Sequence, residues 1–257
     1  MTPTLVRHHA VSPAAGARAR DWAEIQERML VPLYEAVYER LEVGPATRLL
    51  GLGCGSGLAL LIAASRGASV TGVDRRAERI ALARERLLPV DGRPSNATAS
   101  TPYNLITAFE PIGCAAGDAE DLLPALKEAL GQSERGSAVV LTGWGPPERC
   151  ATSAALRVAA RLADAVRRPL RDDLEEVVAG AGLRPDGSGR VACPFGYANT
   201  ESAVRGLLST GLFDAATRAT DPSQVEKELT EALHPHLRRD GTVWMPNVFR
   251  YVIARIP

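Results

Sequence analysis

A doubly wound, Rossmann-like α/β fold with a mostly parallel sheet is what this sequence predicts, on three observations. From about Arg48 to Thr142, short apolar runs alternate with stretches long enough for several helical turns, the pattern of β-α-β units. A glycine-rich loop, Gly51-Leu52-Gly53-Cys54-Gly55-Ser56-Gly57, joins the first run to the first helix of that series. The chain ends on an apolar, β-branched stretch, Trp244 to Ile256, that reads as a last strand.

Residues 1 to about 19 are rich in Ala, Pro, Ser and Arg without periodicity and read as a mobile tail, with His8 and His9 in it. A helical pattern starts at Asp21, with Trp22, Ile25 and Met29 on one stripe. Pro32 interrupts it, and Leu33, Val37 and Leu41 continue it until Gly44-Pro45 stops it. Residues 1–45 are therefore expected to be a tail with cap helices, and 46–257 the main domain.

In that domain Arg48–Leu52 reads as a strand, Leu58–Arg66 as a helix closed by Gly67, Ser69–Val73 as a strand and Arg76–Leu88 as an amphipathic helix. The next stretch, PVDGRPSNATASTP, is loop-like, so the third strand is either very short or replaced by a loop. Tyr103–Phe109 is a strand, Ala119–Leu130 a helix and Ser137–Thr142 a strand. Ala151–Ala165 and Asp172–Gly180 read as helices and Arg190–Pro194 as a strand. Phe195–Gly241 reads as a mostly helical insert, with Asp221-Pro222 as the cap and first turn of one helix.

The 257 residues are 46% hydrophobic and 23% charged, an ordinary globular balance for one large or two small domains. Thirty basic residues match thirty acidic ones, so no basic surface is required and no nucleic-acid partner is expected. Cys54, Cys114, Cys150 and Cys193 stand apart without a C-x-x-C pair, which speaks against disulfides and a metal site and for a reducing compartment. The N-terminus lacks the apolar core of a signal peptide, and the longest apolar run, Leu58 to Ala64, is too short to span a bilayer. The expectation is a soluble cytoplasmic protein with no membrane partner, a monomer or homodimer.

The glycine loop carries the chemistry. Glycines at alternate positions allow a sharp turn and a close approach of ligand to backbone. Free N–H groups at the following helix start favour polar or anionic ligand atoms. Asp74 follows Gly53 by 21 residues, at the end of the next strand, where a carboxylate can take both hydroxyls of a ribose. A dinucleotide loop wants G-x-G-x-x-G, but counting from Gly53 the third position is Leu58 and from Gly51 it is Ser56. A nicotinamide-dependent oxidoreductase is thereby disfavoured.

The G-x-G-x-G form with its cysteine, LLGLGCGSG followed by VTGVD, resembles the class I S-adenosylmethionine-dependent methyltransferases, in particular the bacterial small-molecule enzymes. The resemblance runs from about Leu49 to Leu183. It implies S-adenosylmethionine as cofactor and an antiparallel last strand inserted beside its neighbour. It implies that Gly53, Cys54, Gly55 and Gly57 wrap the methionine part of the cofactor. Asp74, with Arg75 beside it, would take the ribose, and Phe109 would flank the cofactor. Glu110 would face the substrate and Asp91 would hold the adenine amino group. At Gly51 the family usually carries an acidic residue that supports the cofactor's amino end, so this position is a departure within the cofactor site.

The resemblance identifies no catalytic residue; Glu110, His234 and His236 are the candidates for a base. Glu110, Trp144, Phe195, Tyr197 and Trp244 are candidates for a substrate pocket, and the insert 195–241 for a lid over it. The implied activity is methyl transfer to a small organic molecule, with natural-product biosynthesis as the expected setting. The alternative is a member of the fold that no longer methylates: a cyclase, a pericyclase or a ligand-binding module.

Overall fold

The computed structural model describes residues 13–94, 101–112, 118–163 and 173–257; His8, His9 and Cys114 lie outside them. A seven-stranded sheet forms the centre, in the order β3 (Val90–Asp91), β2 (Ser69–Val73), β1 (Arg48–Leu52), β4 (Tyr103–Ile112), β5 (Ser133–Trp144), β9 (Val248–Arg255), β6 (Arg184–Ala192). The first five strands run parallel, and β9 runs antiparallel to both β5 and β6. The doubly wound sheet with an antiparallel final strand is thus as the sequence predicts. β3 is only two residues long, the short form of the third strand.

Residue alternation sorts each central strand onto two cores. Leu49, Leu105, Val140 and Ile253 face α2 (Val31–Arg40) and α3 (Leu58–Ser65). Their neighbours Leu50, Ile106, Leu141 and Val252 face α5 (Asp118–Leu130) and α7 (Asp173–Gly180). Both faces are covered, which is why these strands read as continuous apolar runs.

Several elements differ from the expectation. The stretch read as tail forms helix α1 (Pro13–Asp21) from residue 13, because Ala19 is buried and Arg18 and Asp21 pair with Asp214 and Arg205 of the insert. β6 begins six residues earlier than Arg190; β9 offers it a full edge, and Pro185, Asp186 and Gly187 enter through a register shift. The C-terminal stretch is two strands. Pro246, with no N–H to donate, ends β8 (Val243–Met245), which pairs with β7 (Phe195–Tyr197) in a separate two-stranded sheet.

The insert carries β7, α8 (Thr200–Ser209), α9 (Asp214–Ala219) and α10 (Pro222–Leu233), with Asp221 capping α10 through the Ser223 N–H. Its Leu207, Phe213, Val225, Leu229 and Leu233 belong to the same core as Leu49 and Val140. It thus shares the main core, and removing it would open that core. Phe213 is fully buried. Phe213→Ala should lower stability by about 3–5 kcal/mol, as a vacated aromatic site does, and a urea unfolding curve measures it.

Candidate functional site

The loop between β1 and α3 sits at the carboxyl end of the sheet's centre, where open α/β sheets bind ligands. Gly53 and Gly55 have φ of 61° and 60°, a left-handed backbone that side chains resist. The twist aims the loop's N–H groups inward. Gly55 N–H donates to Asp74 Oδ2 at 2.8 Å, while Oδ1 accepts from Arg76 N–H at 2.8 Å. Asp74 is buried, and burial raises its pKa, opposed first by the nearby Arg79 guanidinium. It stands at the end of β2, where the sequence places it.

A second carboxylate meets the loop. Glu27 Oε1 accepts from Ser56 N–H at 3.1 Å, and Oε2 accepts from the Ser56 hydroxyl. Arg86 donates to the Ser56 carbonyl and hydroxyl, both at 2.9 Å, and lies 3.9 Å from Glu27. Glu27 is buried, and burial raises its pKa despite these partners.

Arg79, on α4 (Ala77–Glu85), is also buried. Its guanidinium lies over the Trp22 ring, 3.9 Å from the centroid, and donates to Ser209 O at 3.1 Å. It reaches Glu110 at 3.6 Å. α4 follows β2 and Glu110 lies on β4, so this ion pair bridges the carboxyl end of β1. Burial lowers the Arg79 pKa, and Glu110 is the leading group that opposes the shift.

Under this bridge lies a cavity of about 20 Å³, room for about one water. Trp22, Glu27, Tyr34, Gly51, Gly53, Cys54, Phe109 and Glu110 are among its walls. Phe109 packs on Tyr34 and Tyr38, with ring centroids 4.8 and 5.6 Å away. The thiol of Cys54 is pushed well up by burial, so it is a packing group rather than a nucleophile. Both charged side chains lining the cavity, Glu27 and Glu110, are acidic.

The other sequence candidates fall elsewhere. Arg75 is exposed, and Asp91 Oδ1 accepts from Gly92 N–H at 2.6 Å; neither lines the cavity. Trp144, Phe195 and Phe249 form one aromatic cluster, with centroids 4.5 to 6.0 Å apart. Tyr197 is buried and donates to Gln26 Oε1 at 2.9 Å. Trp244 is half-exposed under Arg238. His234 and His236 lie in the turn after α10 and line no part of the cavity. Among the described residues no group of acidic, His or Cys side chains is arranged to hold a metal ion.

Sequence reasoning missed Trp22, Glu27 and Arg79 as site residues. Arg79 left a signal: a cation among Ile80 and Ala83 on the buried stripe of its helix. Glu27 left none, because its direction depends on the local winding of residues 22–30.

Residues 50–128 match the family model of a methyltransferase domain. Solved structures share the fold at low identity. BH2331 of Bacillus halodurans is 14% identical with a TM-score of 0.54, over 87% of this chain and 98% of its own. YjhP of Escherichia coli is 18% identical at 0.53, over 95% and 100%. YcgJ of Bacillus subtilis is 17% identical at 0.51, over 86% and 97%. No curated protein matches the chain in sequence.

Gly51 lies in β1 with ordinary strand backbone, but a β-carbon there would sit 2.9 Å from Leu60 Cδ2 and 3.6 Å from Cys54 Cβ. Leu60 is fully buried, so the space that an acidic side chain would need at this position is taken. Gly51→Asp should lower the melting temperature and weaken any ligand held by the loop, because it brings a carboxylate into apolar surroundings. Thermal unfolding checks this, and in a double-mutant cycle Gly51→Asp should cost less on a Leu60→Ala background than in the wild type.

Proposed function

We propose, for a chain whose residues 50–128 carry a methyltransferase domain on the class I, Rossmann-like fold, that it transfers a methyl group to a small organic molecule. The cofactor of that domain is S-adenosylmethionine. The observation that carries the proposal is the buried Asp74 carboxylate on the Gly55 N–H, at the end of the strand beside the loop.

The donor set fits this cofactor. Each Asp74 oxygen accepts one amide and keeps a lone pair, so ribose hydroxyls have acceptors. Glu110 at the cavity wall suits a cationic sulfonium or ammonium and repels a pyrophosphate, consistent with the missing dinucleotide glycine. The volume does not fit while Trp22 and Glu27 hold their places.

When bound, the cofactor supplies an activated methyl group, so the protein's work is alignment and exclusion of water. Asp74 and the loop fix the nucleoside side. Tyr34, Leu30 and Phe109 form an apolar wall toward the acceptor. Glu110, with its side chain 47% exposed at the rim, is the group placed to take a proton from a hydroxyl acceptor. We assign the protein a small-molecule partner, a monomeric or dimeric state and a cytoplasmic location; among the described residues no helix is long and apolar enough to cross a membrane.

One observation favours a second reading, a fold member that binds or cyclises without methylating: the groove is filled by the chain's own side chains. Transfer of a labelled methyl group to extracts of small metabolites separates the two.

S-adenosylhomocysteine should raise the melting temperature, since a ligand of the folded state stabilises by mass action, and NAD should not. Asp74→Ala should weaken S-adenosylhomocysteine by about 1.5 kcal/mol or more, roughly tenfold, in a calorimetric titration. Asp74→Asn, which keeps an acceptor for Gly55, should lose less stability than Asp74→Ala.

A further inference from the structure

The chain from Trp22 to Leu30 is wound differently from the helices on either side. Trp22–Gln26 is a π-helical turn and Glu27–Leu30 a 3-10 turn, between α1 and α2. Glu27 N–H donates to the Trp22 carbonyl, five residues back. In an α-helix these two side chains would point about 140° apart. The wide turn brings both to one side, and that side is the glycine loop.

Both side chains occupy the loop's concave face. A β-carbon at Gly55 would lie 2.6 Å from Glu27 Oε1 and 2.9 Å from Trp22 Nε1. The buried Trp22 N–H meets no hydrogen-bond acceptor among the described residues. No hydrogen bond to the chain therefore anchors the indole N–H in this position. Any ligand that reaches Asp74 across Gly55 needs the volume that Trp22 and Glu27 hold.

We infer that Trp22–Leu30 is a self-plug of the cofactor groove, with Glu27 as its internal ligand on Ser56, and that it withdraws before the cofactor enters. The inference rests on reading this groove as the cofactor site. Helix α8 and its flanks are the latch. Tyr197 donates to Gln26, Arg205 pairs with Asp21, and Ser209 O receives Arg79 beneath the Trp22 ring. A site that is open for only a fraction of the time binds with an apparent Kd raised by the inverse of that fraction. Loosening the plug or the latch therefore tightens binding, although Trp22 and Tyr197 line or brace the site.

The test is calorimetric titration of S-adenosylhomocysteine into the full chain and its Trp22→Ala and Tyr197→Phe variants, with amide exchange of the wild type. A Kd at least about tenfold lower for Trp22→Ala, and lowered in the same direction for Tyr197→Phe, supports the plug. So does faster exchange across residues 22–30 when the ligand is bound to the wild type; that arm needs no variant to fold. Unchanged or weaker binding in both variants, or protection of 22–30 on binding, overturns the plug and leaves the cofactor site standing. No binding by any of the three proteins overturns the cofactor site and the plug with it.

Discussion

A buried amide must find an acceptor, and the turn between β1 and α3 presents two that no sheet ladder or helix can satisfy. Left-handed φ at Gly53 and Gly55 turns the backbone so that the N–H groups of Gly55 and Ser56 face inward. Leaving either unpaired would cost about 1–3 kcal/mol. Asp74 answers the first and Glu27 the second. Both acceptors are carboxylates out of water, so each in turn needs a cation nearby. Arg79 stands by Asp74 and Arg86 by Glu27. The loop's shape thus dictates the charges above the sheet.

That chain of needs ties distant elements together. Arg79 comes from α4, Glu27 from the N-terminal region, Glu110 from β4 and the Ser209 carbonyl from α8. Removing one member would leave a buried partner uncompensated, which costs more than the pair contributes. The insert is therefore held to the rest of the molecule both through Phe213, Val225 and Leu229 in the apolar core and through Arg79 and Gln26 at the groove.

The loop and Asp74 were legible in the sequence because their geometry is local: glycines at alternate positions and an acid at the next strand end. The central strands were legible because two buried faces demand continuous apolar runs. β6 was only partly so; its Pro185, Asp186, Gly187 and Gly189 read as turn residues, and it becomes a strand because β9 supplies an edge. α1 was read as tail because its hold comes from Asp214 and Arg205, which are distant in sequence. Glu27 was illegible for a different reason. On α-helical spacing it belongs away from the Trp22 stripe, and only the five-residue turn carries it inward. Of the aromatics proposed for a substrate pocket, Trp144 and Phe195 stand at or near strand ends and pack on each other and on Phe249, contacts between distant elements that the sequence does not display.

The same bonds that satisfy the loop oppose its use. Glu27 on Ser56, the Arg79 guanidinium on Trp22 and Tyr197 on Gln26 all favour the closed arrangement. A ligand in the groove must replace these contacts with its own, and only its surplus appears as affinity. Two features keep that exchange feasible. The Trp22 N–H breaks no hydrogen bond to the chain by leaving, and Glu27, whose charged form burial already disfavours, regains water when it swings out. Arg79 keeps Glu110 as a partner when Trp22 moves away, so no buried charge is stranded. The groove is therefore closed by contacts that a ligand's own groups would have to replace, which is the condition for a site that seals itself without being lost.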